Sequence, residues 1–221
     1  SKRKNDSITR DYYFQLASEY YRQNDFDNSK TISRIAHRLS VEGKDTLAVA
    51  KALYYIGDCY EPTKKDSAFY YYLQAEKIYS KKKDYENLGR MYLYKGGILY
   101  NEGNYTESEI EVSNALHFLT PTKNHRLIYG CYNMLAINLQ GLNYDSEALK
   151  YHELALKEFE KLKLEETDPR IIISYSAPTL NNMGYLYEKM GEHNKAIEQF
   201  EKVIAIKDLR KISPDSHATS L

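Results

Sequence analysis

The side chains that most often carry enzyme chemistry are thinly spread through this sequence of 221 residues. Cys59 and Cys131 form no C-x-x-C pair, so we expect two ordinary thiols, although a disulfide between them stays open. Of the six scattered histidines, His152 occupies a core position of a helical pattern. There a packed, hydrogen-bonded imidazole is expected rather than a metal ligand. The acidic tract 157–166 is typical of a solvated helix face carrying ion pairs.

Sequence motifs for phosphate, dinucleotide, zinc or serine-hydrolase chemistry are absent from the chain. Lys plus Arg and Asp plus Glu both number 31, and this neutral balance disfavours nucleic acid as a partner. No apolar run has the length of a membrane helix, and no signal peptide is visible. The sequence therefore predicts a region without catalytic residues, metal or cofactor, whose role lies in binding.

A repeat organises nearly the whole chain. Units begin at residues 10, 50, 89, 129 and 177, so they are spaced by 40, 39, 40 and 48 residues. Counting each start as position 1, and allowing one deletion in the second unit, positions 8 and 20 carry small residues. These are Ala17, Gly57, Gly96, Ala136 and Gly184 at position 8, and Ser29, Ala68, Ser108, Ala148 and Ala196 at position 20.

Small residues at these positions predict two antiparallel helices in close contact within each unit. Position 27 is also usually small, which suits packing of the next unit's first helix. Position 18 always carries a side chain that can accept a hydrogen bond at a helix start. We therefore expect Asp27, Asp66, Thr106, Ser146 and Asn194 to be N-caps of the second helices.

This pattern resembles the tetratricopeptide repeat (TPR) over roughly 10–208, with the last unit the closest match. The resemblance implies an all-α fold, a right-handed α-solenoid of antiparallel helix pairs. Units of 39–40 residues exceed the usual length of about 34, so the helices should be longer by about a turn and a half. In the insertion at 163–179, Asp168-Pro169 predicts a helix start, and Pro178 should kink or interrupt the helix that follows.

The predicted organisation is a single TPR array over 1–221. Its repeats span 10–49, 50–88, 89–128, 129–176 and 177–217, with the start of a truncated sixth repeat at 218–221. A helix over about 195–208 would then lack a partner for its apolar side chains Ile197, Val203 and Ile204. Because repeat arrays need polar caps, we expect self-association through this uncapped C-terminal repeat.

In TPR arrays the first helix of each repeat lines a concave groove, at positions 2, 5, 9, 12 and 13 of the unit. Carrying over the groove positions predicts a peptide-binding face rich in Tyr, Asn and Gln. Its members are Phe14, Ser18, Tyr21, Lys51, Tyr54, Asp58, Arg90, Leu93, Tyr94, Tyr100, Asn133, Ile137, Gln140, Asn181, Tyr185 and Glu188. Tyr supplies rigid contact area, and Asn and Gln can pair with a peptide backbone. Only Arg90 matches the basic positions of the chaperone-type carboxylate clamp, which disfavours that role.

The leading interpretation is a protein- or peptide-binding TPR module, the sensor or interaction region of a larger bacterial signalling protein. A histidine kinase or a transcription regulator would then carry the output, outside this region. The alternative is a free-standing TPR adaptor or a peptide-pheromone receptor. The compartment stays open between a cytoplasmic and a periplasmic domain, with any membrane contact made by segments outside this region.

Overall fold

In the computed structural model, residues 2–165 and 168–206 are described, and they fold into α-helices joined by short turns. The helices are α1 Lys2–Arg22, α2 Phe26–Glu42, α3 Thr46–Tyr60, α4 Lys65–Lys82, α5 Tyr85–Asn101, α6 Tyr105–Leu119, α7 His125–Gly141, α8 Asp145–Glu165, α9 Pro169–Lys189 and α10 His193–Ile204, with a 3-10 turn at Thr120–Thr122. The all-α prediction is confirmed, and the chain is an α-solenoid of helix pairs. The predicted sixth repeat and the end of the predicted helix 195–208 lie outside the described residues.

The chain divides after Glu102 into two compact units, one holding α1 to α5 and the other α6 to α10. In the first unit each helix packs against the next, and α1 also touches α3. In the second unit the same consecutive packing runs from α6 to α10. Short turns between consecutive helices produce this arrangement because they return the chain along the helix it has just left.

The small residues at positions 8 and 20 lie where the paired helices approach most closely. All ten are buried. A Cβ built on Gly57 would lie 2.7 Å from Cε1 of Tyr72, on the facing helix. Where position 20 is Ser29, its hydroxyl donates to the carbonyl of Ala17 at 2.8 Å, so the polar atom is satisfied inside the contact. Helix contact thus depends on the missing side-chain volume at these sites.

The predicted N-caps at position 18 are wrong by two residues. Asp27 lies inside the first turn of α2, and the cap is Asp25, whose side chain accepts from the backbone N–H of Asn28. The same offset recurs in α6, which is capped by Asn104 instead of Thr106. Acceptor side chains are favoured throughout the first turn because its N–H groups are free, so residue type alone does not locate the cap.

Helix α9 begins as predicted, with the side chain of Asp168 accepting from the N–H of Arg170. The prediction that Pro178 interrupts the following helix is wrong, since α9 continues through it to Lys189. Val203 was expected to lack a partner, but it is fully buried against Ile173 and Ala177 of α9. These contacts hold the C-terminal helix pair together despite the proline.

Both cysteines are free thiols, buried in the packed interior. The other buried titratable group of note is His152, which is completely buried and has no hydrogen-bond partner on either ring nitrogen among the described residues. Its packing was predicted, but the expected hydrogen bond was wrong. Burial lowers the pKa of His152 to about 4, so the ring is neutral at physiological pH.

Candidate functional site

A groove in the first unit brings together the exposed faces of α1, α3 and α5. It contains two adjoining cavities of about 550 Å³ each, which share Asp11, Phe14, Lys51 and Tyr55. The first is completed by Gln15, Ser18 and Arg22, and the second by Asp45, Leu47, Ala48, Tyr54, Tyr79, Asp84, Asn87 and Arg90. We call this surface the α1–α3–α5 groove. Its lining mixes aromatic rings with charges of both signs.

The centre of the groove is held in place by aromatic packing. The rings of Phe14 and Tyr55 meet edge to face, with centroids 5.6 Å apart. The ammonium group of Lys51 lies 4.5 Å from the centroid of Phe14 and 5.7 Å from that of Tyr55. A cation placed over aromatic faces is attracted to the ring quadrupole, which orients the lysine without burying its charge. This part of the groove is therefore shaped before any ligand arrives.

Beside these cavities lies a smaller one of about 120 Å³, lined by Ser18, Tyr21, Ser29, Tyr54, Tyr55 and Asp58. The hydroxyl of Tyr72 donates to Oδ1 of Asp58 at 2.6 Å. Burial raises the pKa of Asp58 to about 7, against the opposing effect of its hydrogen bonds from Tyr72 and Tyr54. The rings of Tyr54, Tyr72 and Tyr94 cluster around the carboxyl group, with centroid separations of 5.8 to 6.4 Å.

Arg90 contributes the basic charge on the α5 side of the groove. Its guanidinium pairs with Glu86 one turn earlier at 3.3 Å, and its Cζ lies 6.0 Å from the centroid of Tyr54. Arg90 is also hydrogen-bonded to the Tyr54 hydroxyl. The arginine is thus already engaged by the protein and is oriented along the wall of the groove.

Seven of the predicted residues line these cavities: Phe14, Ser18, Tyr21, Lys51, Tyr54, Asp58 and Arg90. Tyr94 lies directly behind Tyr54. Leu93 is 7% exposed and offers little surface for contact. Tyr100 is half-buried towards the end of α5. The assignment of these residues to ligand binding stays a prediction.

The remaining predicted residues belong to the second unit. Asn133 accepts from the hydroxyl of Thr179 at 3.3 Å, and Glu188 pairs with His193 at 2.9 Å. Tyr185 is half exposed, with its ring edge to face against Phe200. Asn181 is buried, whereas Ile137 and Gln140 are half-buried. Several of these side chains therefore serve contacts within the unit.

Sequence reasoning missed several groove residues. Asp11 and Arg22 occupy groove positions 2 and 13 of the first repeat, so the predicted register would have located both. Tyr55 stands at position 6 and has no such signal, because tyrosine is abundant throughout the chain. Among the described residues, no group of three or more His, Cys, Asp or Glu is placed to hold a metal ion. The described helices also include none with the length and hydropathy to cross a membrane.

Comparison with known proteins agrees with the repeat assignment. Residues 177–208 match the tetratricopeptide repeat family model. These residues contain the C-terminal part of α9 and all of α10, whose predicted register matched the family pattern most closely. In this part the chain is similar to the tetratricopeptide-repeat family, and helix pairs of the same kind run along both units.

Among curated proteins, the chain is similar to response regulator aspartate phosphatase A of Bacillus subtilis. The two are 31% identical over 144 residues, which cover 63% of this chain and 35% of the relative. The chain therefore spans about a third of the length of that relative.

Solved structures share the fold at low sequence identity. BtubC from P. vanneervenii superposes with a TM-score of 0.75 and 19% identity, covering 89% of this chain and 78% of that one. The Rap conjugation gene regulator of plasmid pLS20, solved in complex with the Phr* peptide, superposes with a TM-score of 0.70 and 16% identity. The match covers 98% of this chain and 57% of that one. At these identities the likeness concerns the fold alone.

Proposed function

We propose that this chain is a peptide-binding TPR module of a bacterial regulatory protein. The observation that carries the proposal is the α1–α3–α5 groove, where three first helices present rigid aromatic rings and charges of both signs to one open surface. A fold neighbour solved with a peptide, the Rap regulator of pLS20, supports the same use of this architecture. The peptide-receptor alternative of the sequence analysis is thus favoured over the sensor of a histidine kinase.

The chemistry of the groove suits a short, extended peptide. Asp11, Asp45 and Asp84 supply acceptors, while Lys51 and Arg90 supply donors for backbone carbonyls or acidic side chains. Tyr54 and Tyr55 offer broad contact area at low entropic cost because each has few rotatable bonds. A regulator of response-regulator signalling, like the curated relative, would use such a module to sense a peptide. We assign no catalytic step to the described residues.

The test is selection from a random peptide library with the 221-residue chain, followed by calorimetry on the recovered peptides. Lys51→Ala and Tyr55→Ala should each weaken binding at least about tenfold, since both remove contacts at the centre of the groove. Tyr70→Ala is the matched control, because Tyr70 is 57% exposed on α4 and lies outside the groove lining. Circular dichroism checks that every variant keeps its helices.

Two results would count against the proposal. One is a library that yields no peptide binding the wild-type chain. The other is a Tyr70→Ala variant that loses as much affinity as Tyr55→Ala, which would place binding elsewhere. The two groove variants separate the contributions of charge and aromatic surface.

We also propose that the C-terminal helix pair self-associates. Ile197 and Ile204 on α10 are 55% and 43% exposed, Tyr185 on α9 is 50% exposed, and Met190 directly after α9 is 39% exposed. Apolar surface of this kind favours a partner that covers it. Light scattering over a concentration series should show a dimer that Ile197→Lys disperses, whereas a monomer at high concentration would disprove the proposal.

A further inference from the structure

The small cavity at Asp58 has the size and lining of a site for a single polar head group. Its volume of about 120 Å³ equals roughly four water molecules at about 30 Å³ each. Asp58 is the charged member of the six lining residues, and the others offer hydroxyl groups and tyrosine rings. A carboxylate surrounded in this way is complementary to a hydrogen-bond donor or a cation.

The Asp58 carboxyl group belongs to a chain of hydrogen bonds that reaches across the groove. It accepts from Tyr72 at 2.6 Å and also from Tyr54. The Tyr54 hydroxyl is in turn hydrogen-bonded to Tyr94 and to Arg90. A carboxylate can only accept, whereas a protonated carboxyl group brings one donor of its own. Adding a proton to Asp58 therefore gives the carboxyl group a donor and removes part of its capacity to accept from the tyrosines or from a ligand.

The ionisable and polar neighbours of Asp58 come from every helix packed around it. They are Tyr21 from α1, the uncharged Ser29 from α2, Tyr72 from α4, Arg90 and Tyr94 from α5, Tyr54, Tyr55 and Cys59 from α3 itself, and Glu61 directly after α3. Burial opposes the charged form most strongly, and Glu61 adds to it. The tyrosine hydroxyls and Arg90 favour the charged form. The resulting pKa of about 7 places the charge change of this site near neutral pH.

Burial disfavours the charged form of Asp58. A carboxyl group whose pKa is raised in the folded state stabilises that state while protonated, and this contribution is lost as pH rises through about 7. Above that pH the folded chain holds a poorly solvated charge. A buried charge of this kind, lining an open cavity, is a feature of functional sites.

We propose that Asp58 makes binding in the α1–α3–α5 groove proton-linked: its carboxylate form receives a cationic group of the ligand, and its protonated form rejects that group. The inference rests on the proposed function, since it concerns the regulation of the same groove. A proton and the cationic head group compete for one acceptor, so the occupancy of the groove follows pH near neutrality.

The first experiment needs no peptide and tests the titration itself. The chain is labelled with ¹³C at the aspartate carboxyl carbon and titrated by NMR from pH 4 to pH 9, with Asp58→Asn identifying the resonance. We expect a midpoint near 7, moved upward in Tyr72→Phe because the charged form loses a donor. A resonance of Asp58 that titrates wholly below pH 5 would overturn the proposal.

The second experiment tests the linkage to binding, with methylguanidinium as the probe and neutral N-methylurea as its matched control. From a midpoint of about 7, the probe should bind the wild type about tenfold more tightly at pH 8 than at pH 6. Asp58→Asn should remove this pH dependence, and N-methylurea should show none. Equal affinity of the wild type for methylguanidinium at both pH values, or a pH effect that persists in Asp58→Asn, would refute the linkage. Neither readout depends on finding a peptide, so a failure here is distinct from a failure of the proposed function.

Discussion

Replacing Gly184 with alanine tests whether helix contact really depends on missing volume. A Cβ built at Gly184 would lie 2.4 Å from Cε1, 2.6 Å from Cζ and 2.9 Å from Cδ1 of Phe200. Carbon atoms pack at about 3.5–4.0 Å, so the ring must move away from α9. Phe200 also meets Tyr185 edge to face at 5.6 Å, and this contact would be disturbed as well.

Two effects of opposite sign set the change in the free energy of unfolding on Gly184→Ala. Alanine in place of glycine inside a helix gains about 1 kcal/mol from backbone entropy and propensity. Overpacking a close contact costs about 1–3 kcal/mol. We therefore expect Gly184→Ala to destabilise the chain by about 1 kcal/mol. In a Phe200→Ala background the clash is gone and only the helix gain remains, so the same substitution should stabilise by about 1 kcal/mol.

The assay is urea denaturation of the four members of the cycle, followed by far-ultraviolet circular dichroism. The expected coupling between the two sites is about 2 kcal/mol, well above the error of such cycles. If Gly184→Ala stabilises the chain equally in both backgrounds, the contact does not depend on the missing side chain, and the packing argument is wrong. Gly57→Ala, which faces Tyr72 at 2.7 Å, should repeat the destabilisation in the first unit.

Three further predictions concern groups that the fold buries or strains. Because the pKa of His152 is lowered from 6.5 to about 4, the contribution of His152 to the free energy of unfolding should fall by about 3 kcal/mol as the pH drops from 6.5 to 4. Protonation of Asp58 acts in the opposite direction over this range, so the wild type must be compared with a variant at His152. His152→Leu should remove that fall in urea titrations across this range. Pro178→Ala should raise the melting temperature, since it restores an N–H to the carbonyl of Ser174 within α9. Tyr129→Phe removes the hydroxyl that donates to the Tyr175 carbonyl at 2.7 Å, and should cost about 1 kcal/mol in urea.

The helix pairs were predictable because every repeat carries small residues at the same two positions, one in each helix of the pair. Small residues at positions 8 and 20 recur in all five repeats, and every such residue is buried. No single unit would have sufficed, since Gly or Ala alone occurs in many contexts. The pattern predicts the fold because it recurs at a fixed spacing along the chain.

Details that depend on one residue's surroundings were not predictable. The cap of α2 lies at Asp25 rather than Asp27, since both aspartates can accept from the free N–H groups of a helix start. Pro178 was expected to kink or interrupt α9, but α9 continues through it, and buried contacts around Ala177 and Val203 hold the helix despite the lost hydrogen bond. In both cases tertiary geometry decided between options that the sequence leaves equal.

The groove was predictable as a surface but not as a chemical environment. Position 9 of the second repeat places Asp58 on the face that lines the groove, and the register alone gives that placement. Its raised pKa arises from burial, against the opposing effects of Tyr72 on α4, Tyr54 on α3 and Arg90 on α5. No spacing rule brings these residues to one carboxyl group, because each comes from a different helix. The residues at the helix contacts determine how the helices pack, so they must be similar in every unit. Residues that give the groove its chemistry differ from unit to unit, and only three-dimensional proximity reveals that they act on the same proton.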